Sequence, residues 1–511
     1  MSKPLSRFHR TRFHGTKRHQ CQCILTFLFL LVIGLTSNAS PDLPLKKNGL
    51  ELRQIPPYFL LNNTEKTVIS WVSTEAYKAK TLVWNDFQQF EAEDKQPTRF
   101  HKMVFTGLHP QTEYRFKTDL GESGEFTTPV NDRHTRFTTV GHTGGTRAID
   151  EYPVQTIFPL IGGLDSEFTL LLGDFCLFAS IDDCKTEYFD LFRPLLKSTT
   201  VIPAPGNHEK NFNEHGHRNT LDNFRNLFPY HYPQPEGENA YYSFTYKNIR
   251  FYSVTLTKRP MYMDRNVLKH FEEDIKKSNS DFNIVFWGAE NRVYDDEHRD
   301  IFRLFNKYKV DAIFGGADGG QFPWRRVYEG VPYYFAGSLG SRDRQFFYVD
   351  INDYYMKVRV FNAAGEKKQE FDQYARKTFK PQYTLDQNRT YRREEYTKYR
   401  NDEPILEWYL DDIPSQTING IVIDADCFVG GKKMKDTVSY LHWVSEFPGQ
   451  GEAGMNRLPY SLKNQIAQRH VLRLPENDPY GLKPYKLNRL ALRFANCDKA
   501  EKIVINEAYI F

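Results

Sequence analysis

Thr200-Val-Ile-Pro-Ala-Pro-Gly-Asn-His-Glu209 is the stretch whose reading decides the fold. Its first half is short and apolar, the composition of a buried strand; its second half breaks at Pro205-Gly206 into a polar turn. The same unit occurs upstream in Thr169-Leu-Leu-Leu-Gly-Asp174, whose Gly173 lies 33 residues before Gly206. It recurs downstream in Asn283-Ile-Val-Phe-Trp-Gly288 and in Phe314-Gly-Gly-Ala-Asp318. Turns that directly follow buried strands are where layered α/β proteins place their chemistry. From Arg136 to about Phe361 the chain therefore reads as an α/β unit with its reactive side chains gathered at strand ends.

The flanks read differently. Residues 56–130 hold short alternating runs, Thr67-Val-Ile-Ser-Trp-Val72, Lys80-Thr-Leu-Val-Trp84, Lys102-Met-Val-Phe105 and Glu113-Tyr-Arg-Phe-Lys117, separated by turn residues at the spacing of a small β-sandwich. Residues 362–404 are rich in Lys, Glu, Arg, Gln and Tyr with little periodicity, which predicts a linker or solvated segment. Alternation returns from 405 to 511 in Asn419-Gly-Ile-Val-Ile-Asp424, Asn488-Arg-Leu-Ala-Leu-Arg-Phe494 and Lys502-Ile-Val-Ile-Asn-Glu-Ala-Tyr-Ile510, predicting a C-terminal β-sandwich. A chain of 511 residues is too long for one core, so several domains are expected.

The first twenty residues carry Lys3, Arg7, Arg10, Arg12, Lys17 and Arg18 without an acid, and an apolar run follows from Ile24 to Leu35. That run is shorter than the roughly twenty residues of a spanning helix, and the small residues Ser37 and Ala39 follow it. The pattern predicts a signal peptide over residues 1–39, with an uncleaved signal anchor as the alternative; either sends the chain to the secretory pathway, and a membrane attachment is expected only if the signal stays uncleaved. The chain's net charge is +4; taking away the leader's six positive charges leaves −2, so charge gives no case for nucleic-acid binding. Beyond the leader, Cys176, Cys184, Cys427 and Cys497 form an even set in an oxidising compartment, and their clustering favours Cys176 with Cys184 and Cys427 with Cys497, with free buried thiols as the alternative. Asn62 and Asn388 sit in glycosylation sequons. No Gly-x-Ser-x-Gly elbow occurs, and the glycine-rich turns lack the Lys-Ser/Thr ending of a phosphate loop.

Taken together and in order, Gly141-His142-Thr143-Gly144, Gly173-Asp174-Phe175-Cys176-Leu177, Gly206-Asn207-His208-Glu209, the Val285 to Gly288 strand end and Gly315-Gly316-Ala317-Asp318 resemble the metallophosphoesterase motif series of purple acid phosphatases: GDxG, GDxxY, GNHE, VxxH and GHxH. The tract from Thr106-Gly-Leu-His-Pro-Gln-Thr-Glu-Tyr114 to Glu125-Phe-Thr-Thr-Pro129 resembles the fibronectin-III-like domain that precedes the catalytic domain in plant-type members. The resemblance covers roughly residues 56–361. It implies a fibronectin-III-like β-sandwich at 50–130, a calcineurin-like metallophosphoesterase domain at 134–361 (a four-layer α/β fold, two sheets flanked by helices), a linker at 362–404 and a β-rich accessory domain at 405–511.

In that family a carboxylate bridges two cations roughly 3.5–4 Å apart, so that both polarise a phosphoryl group. Matched position by position, this sequence keeps the bridging Asp174, the amide Asn207 and His208, the histidine placed near the leaving group. It has His142 where an aspartate is expected, Leu177 for the tyrosine that colours the family, Gly288 and Gly316 for two histidines, and Asp318 for the last histidine. His142, Asp174 and Asp318 could still hold one divalent or iron ion; Asp174 and Asn207 opposite two glycines lack the donors for a second. The resemblance thus implies a secreted phosphoesterase scaffold that has become a pseudophosphatase, with one metal or none. The alternatives are an impaired phosphate-ester hydrolase using a single metal and His208, and a glycan- or protein-binding module. Glu290, His215 and His217 are the residues that could supply a missing ligand.

Overall fold

The computed structural model describes residues 43–45, 51–143, 157–196, 199–212, 218–233, 240–255, 264–288, 299–316, 324–336, 339, 344–398, 404–414, 421–434, 438–447, 451–452, 456–461, 469–472, 486–494, 497 and 499–511. The expected leader, Asp318, Glu290, His215 and His217 lie outside the described residues.

The first seven strands form two sheets. β1 (Arg53–Asn62), β2 (Lys66–Tyr77) and β5 (Thr98–Thr106) pair in the order β1-β2-β5; β3 (Lys80–Trp84), β4 (Gln89–Glu93), β6 (Glu113–Thr118) and β7 (Ser123–Thr127) pair in the order β4-β3-β6-β7. One core joins them, built from Ile69, Trp71, Met103 and Phe105 on one side and Val83, Tyr114, Phe116 and Phe126 on the other. The apolar run in β2 is explained by burial on both faces. Ile69 and Trp71 face this core, while Val68 and Val72, with Ile55, Tyr58 and Leu60 of β1, join the core of the following unit.

That following unit holds two mixed six-stranded sheets. The first runs β10 (Thr200–Ala204), β9 (Phe168–Leu172), β8 (His134–Gly141), β19 (Gln345–Asn352), β20 (Tyr355–Asn362), β21 (Lys367–Tyr374). The second runs β13 (Tyr241–Tyr246), β14 (Ile249–Val254), β15 (Phe282–Trp287), β16 (Ala312–Gly315), β18 (Val331–Phe335), β17 (Trp324–Tyr328). A short hairpin, β11 (Asn211–Phe212) with β12 (Arg218–Thr220), stands apart from both. Rings from both sheets interlock between them: Phe137 lies 5.1 Å from Phe168, 5.5 Å from Phe251 and 5.8 Å from Phe314. The outer face of the second sheet is covered by the helices Arg265–Lys277 and Arg299–Lys307. The first of these is capped by Asp264 and buries Val267, Phe271 and Ile275, spaced four apart, against Tyr252, Trp287 and Tyr333. Helical turns around Phe158, Ile161, Phe192 and Leu195 cover the first sheet.

The segment expected to be a linker, 362–404, contains two long strands. β21 is the edge of the first central sheet, and β22 (Tyr383–Arg392) is the edge of a C-terminal sheet, paired antiparallel with Lys502–Ile510. Edge strands carry charge on their open side, and the exposed Lys367, Lys368, Arg389 and Arg392 give these two the composition of a loop. The C-terminal region has two sheets over a core of Ile421, Ile423, Leu490, Leu492, Ile503 and Ile505. Phe511 ties it to the central unit by stacking on Phe379 at 4.0 Å. Among the described residues no helix is long and apolar enough to cross a membrane.

Candidate functional site

β8, β9 and β10 are parallel, and so are β14, β15, β16 and β18. Their C-terminal ends therefore deliver the turns holding His142, Asp174, Asn207, His208, Gly288 and Gly316 to the same edge of the two-sheet core. Asp174 is 3% exposed. Its Oδ1 accepts from the His208 N–H at 3.1 Å, and its Oδ2 lies 3.3 Å from His142 Nδ1. Burial works to raise the Asp174 carboxyl, but the His142 hydrogen bond and the charges of His142 and His208 outweigh it and hold it below the ordinary range. His142 and Asp174 both sit at positive φ, +27° and +54°, a strained backbone for non-glycine residues and one that concentrates at functional sites. His208 Nδ1 lies 3.2 Å from the Leu177 carbonyl, and the Leu177 N–H donates to Glu187 at 2.6 Å.

Sequence reasoning assigned no role to Glu209, whose carboxylate accepts four backbone hydrogen bonds at the site. It is 2% exposed. Its Oε2 accepts from the N–H groups of Asp174 (2.8 Å) and Gly206 (2.7 Å), and its Oε1 from those of Phe175 (2.7 Å) and Cys176 (2.9 Å). One carboxylate thus ties the turn after β9 to the turn after β10. Burial and the neighbouring Asp174 push its carboxyl up to about 7, against the pull of the backbone donors. Its place at the end of the GNHE motif does not reveal this role; the geometry comes from two turns meeting. The disulfide Cys176–Cys184, 8 residues apart, fastens the same turn to the helical segment behind it, and Cys427–Cys497 closes a loop in the C-terminal core.

The glycines of the site are tightly packed. A Cβ on Gly288 would lie 2.8 Å from Gly173 N and 2.9 Å from Gly206 N; one on Gly173 would lie 2.5 Å from Gly288 Cα. A Cβ on Gly316 would lie 2.6 Å from Leu172 O and 3.0 Å from Gly141 Cα. Among the described residues there is no group of three or more His, Cys, Asp and Glu side chains placed to hold a metal ion, and the described surroundings of Gly288 and Gly316 do not fit the family's second cation. His142, Asp174, Asn207 and His208 are brought together; Asp318 lies outside the described residues.

A second polar constellation lies elsewhere. Ser73 Oγ is 2.9 Å from His101 Nε2, and His101 Nδ1 is 2.6 Å from Asp94, the distances of a hydrolytic triad. Ser73 and His101 are fully buried, the imidazole stacks on Trp71 at 4.8 Å, and Ser73 Oγ donates to the Glu75 carbonyl at 2.6 Å. No substrate can reach this serine, so the group is structural.

The calcineurin-like phosphoesterase family model matches residues 140–316, which assigns this stretch of the chain to a metallophosphoesterase domain. Similar solved structures include a purple acid phosphatase from yellow lupin (Lupinus luteus) seeds, 13% identical, covering 63% of this chain and 75% of that one with a TM-score of 0.49. PhoD is 11% identical over 66% of this chain and 92% of its own, with a TM-score of 0.46. GAP50, the anchor in the inner membrane complex of Plasmodium, is 13% identical over 48% and 90%, with a TM-score of 0.34. No curated protein matches the chain.

Proposed function

We propose that this protein is a purple-acid-phosphatase-like metallophosphoesterase of the secretory pathway that has lost its second metal site and acts as a pseudophosphatase, a scaffold for a protein or glycan partner. The observation that carries this reading is the pair Gly288 and Gly316. Neither has a side-chain donor atom, and the space beside each is filled by neighbouring backbone. A site with Asp174 and Asn207 alone cannot clamp a phosphoryl group between two cations. The strand orders β1-β2-β5 and β4-β3-β6-β7 support a fibronectin-III-like unit before the phosphoesterase domain, and the C-terminal pair of sheets supports an accessory β-sandwich. Two disulfides agree with an oxidising compartment reached through a leader at residues 1–39. Asn388 is exposed and is the better glycosylation acceptor; the Asn62 amide already donates to the Thr127 carbonyl at 2.9 Å.

A second reading, a single-metal hydrolase using His142, Asp174 and Asp318, draws on the 3.3 Å approach of His142 to Asp174. Metal content of the purified protein, with p-nitrophenyl phosphate turnover from acid to neutral pH, separates the two. Two ions per chain with turnover would refute the pseudophosphatase; one ion with activity lost in Asp174→Ala would favour the hydrolase. A third reading, glycan binding, draws on Tyr409, which is 75% exposed with its hydroxyl 3.3 Å from Glu407 and the Arg489 guanidinium 5.8 Å from its ring. Aromatic faces bordered by polar groups stack on sugar rings, and a glycan array with a Tyr409→Ala control tests this one.

A further inference from the structure

We infer that the strand ends have closed into a metal-independent contact: glycine backbones pack where the second cation's histidines would stand, while the Glu209 carboxylate, a residue of the family's own GNHE motif, ties the turns on one side. This rests on the reading that the second metal site is lost, and adds that the loss is steric and cannot be reversed by restoring donors. Removing two imidazoles by drift alone would leave a void at each position, because a close-packed interior collapses only in part when side chains are lost. Here the described neighbours leave no room even for a Cβ at either position. Gly288, after β15, presses on Gly173 after β9 and Gly206 after β10; Gly316, after β16, presses on Leu172 of β9 and Gly141 at the end of β8. Each blocking atom belongs to backbone or lies at a Cβ, so no rotamer change makes room, and Gly173 is further fixed by its φ of +73°. The two sheets thus meet through glycines on both sides. On the first sheet's side, the turns after β9 and β10 are held by the four N–H groups that Glu209 accepts. A carboxylate filled by four backbone donors holds these turns without any ion.

The test uses the full-length protein and three variants. Gly288→Ala adds one methyl to the contact and is expected to lower the thermal midpoint by roughly 5 °C or more. Gly162→Ala, at a helical glycine with nothing within 4 Å, is expected to leave the midpoint unchanged or raised. Gly288→His combined with Gly316→His, incubated with zinc, is expected to take up no more metal per chain than the wild type. A Gly288→Ala midpoint as little changed as that of Gly162→Ala would overturn the inference. So would a double-histidine variant that holds two zinc ions at the wild-type midpoint, and that result would leave the pseudophosphatase reading standing. Two zinc ions in the wild type would sink both.

Discussion

Replacing Glu209 by Gln preserves the shape of the side chain and removes its charge, which makes it a clean probe of what holds the strand ends. The carboxylate accepts four backbone N–H bonds at 2.7 to 2.9 Å. A glutamine can keep two of them at its carbonyl oxygen, but its NH2 must then point at two amide hydrogens, turning two acceptor contacts into donor-donor contacts. Measured well above pH 7, where this carboxyl is ionised, hydrogen bonds to a charged group contribute about 1.5–3 kcal/mol each, so losing two costs about 3–6 kcal/mol. Neutralising the group also removes its repulsion with Asp174 and part of its burial penalty, which offsets some of that loss. A net destabilisation of about 2–4 kcal/mol is expected, a large fraction of a domain's stability. Urea denaturation measures it, and amide hydrogen exchange localises it: Asp174, Phe175, Cys176 and Gly206 should exchange slowly in the wild type and faster in Glu209→Gln. A loss below about 1 kcal/mol, with those four amides as protected as before, would refute the staple.

Asp174 sits at φ +54°, a conformation that asparagine tolerates and alanine resists. Asp174→Asn should therefore cost about 1 kcal/mol or less and Asp174→Ala about 2–3 kcal/mol by chemical denaturation, because only alanine abandons the His208 N–H. Equal costs would mean that the turn does not depend on this side chain. With Leu177 in place of the coloured family's tyrosine, concentrated protein should show no visible charge-transfer band after incubation with ferric iron; such a band would place a phenolate at the site and overturn the motif matching. His101→Leu removes a 2.6 Å contact to Asp94, a 2.9 Å contact to Ser73 and a ring stacked on Trp71. It should destabilise the N-terminal sheets by about 3 kcal/mol without changing metal content, and a shift under about 1 kcal/mol would show that this network is not structural.

The strand-turn units of the central fold were legible because each joins an apolar run to a glycine break. Burial on both faces writes that pattern into one dimension, as at Thr200–Ala204 and Phe168–Leu172. The edge strands β21 and β22 were not legible, since one open side lets charged residues dominate their composition. Of the site, the positions of His142, Asp174, Asn207, His208 and Glu209 could be read from motif order, whereas the role of Glu209 could not. Its partners are backbone groups up to 35 residues away, and backbone donors carry no residue-type signature.

The positive φ angles of His142 and Asp174 need surroundings that hold them. A left-handed backbone at a non-glycine residue costs of the order of 1–3 kcal/mol, and survives only where its surroundings fix it. Without such surroundings the turn at Asp174 would be free to relax. Instead the Asp174 N–H donates to Glu209, its Oδ1 accepts from His208, and Gly206 presses so closely that a Cβ there would lie 2.8 Å from the Asp174 N. The strain is therefore balanced by contacts made within the chain. Among the described residues the same contacts occupy the glycine side of Asp174, while His142 on its other side is 20% exposed.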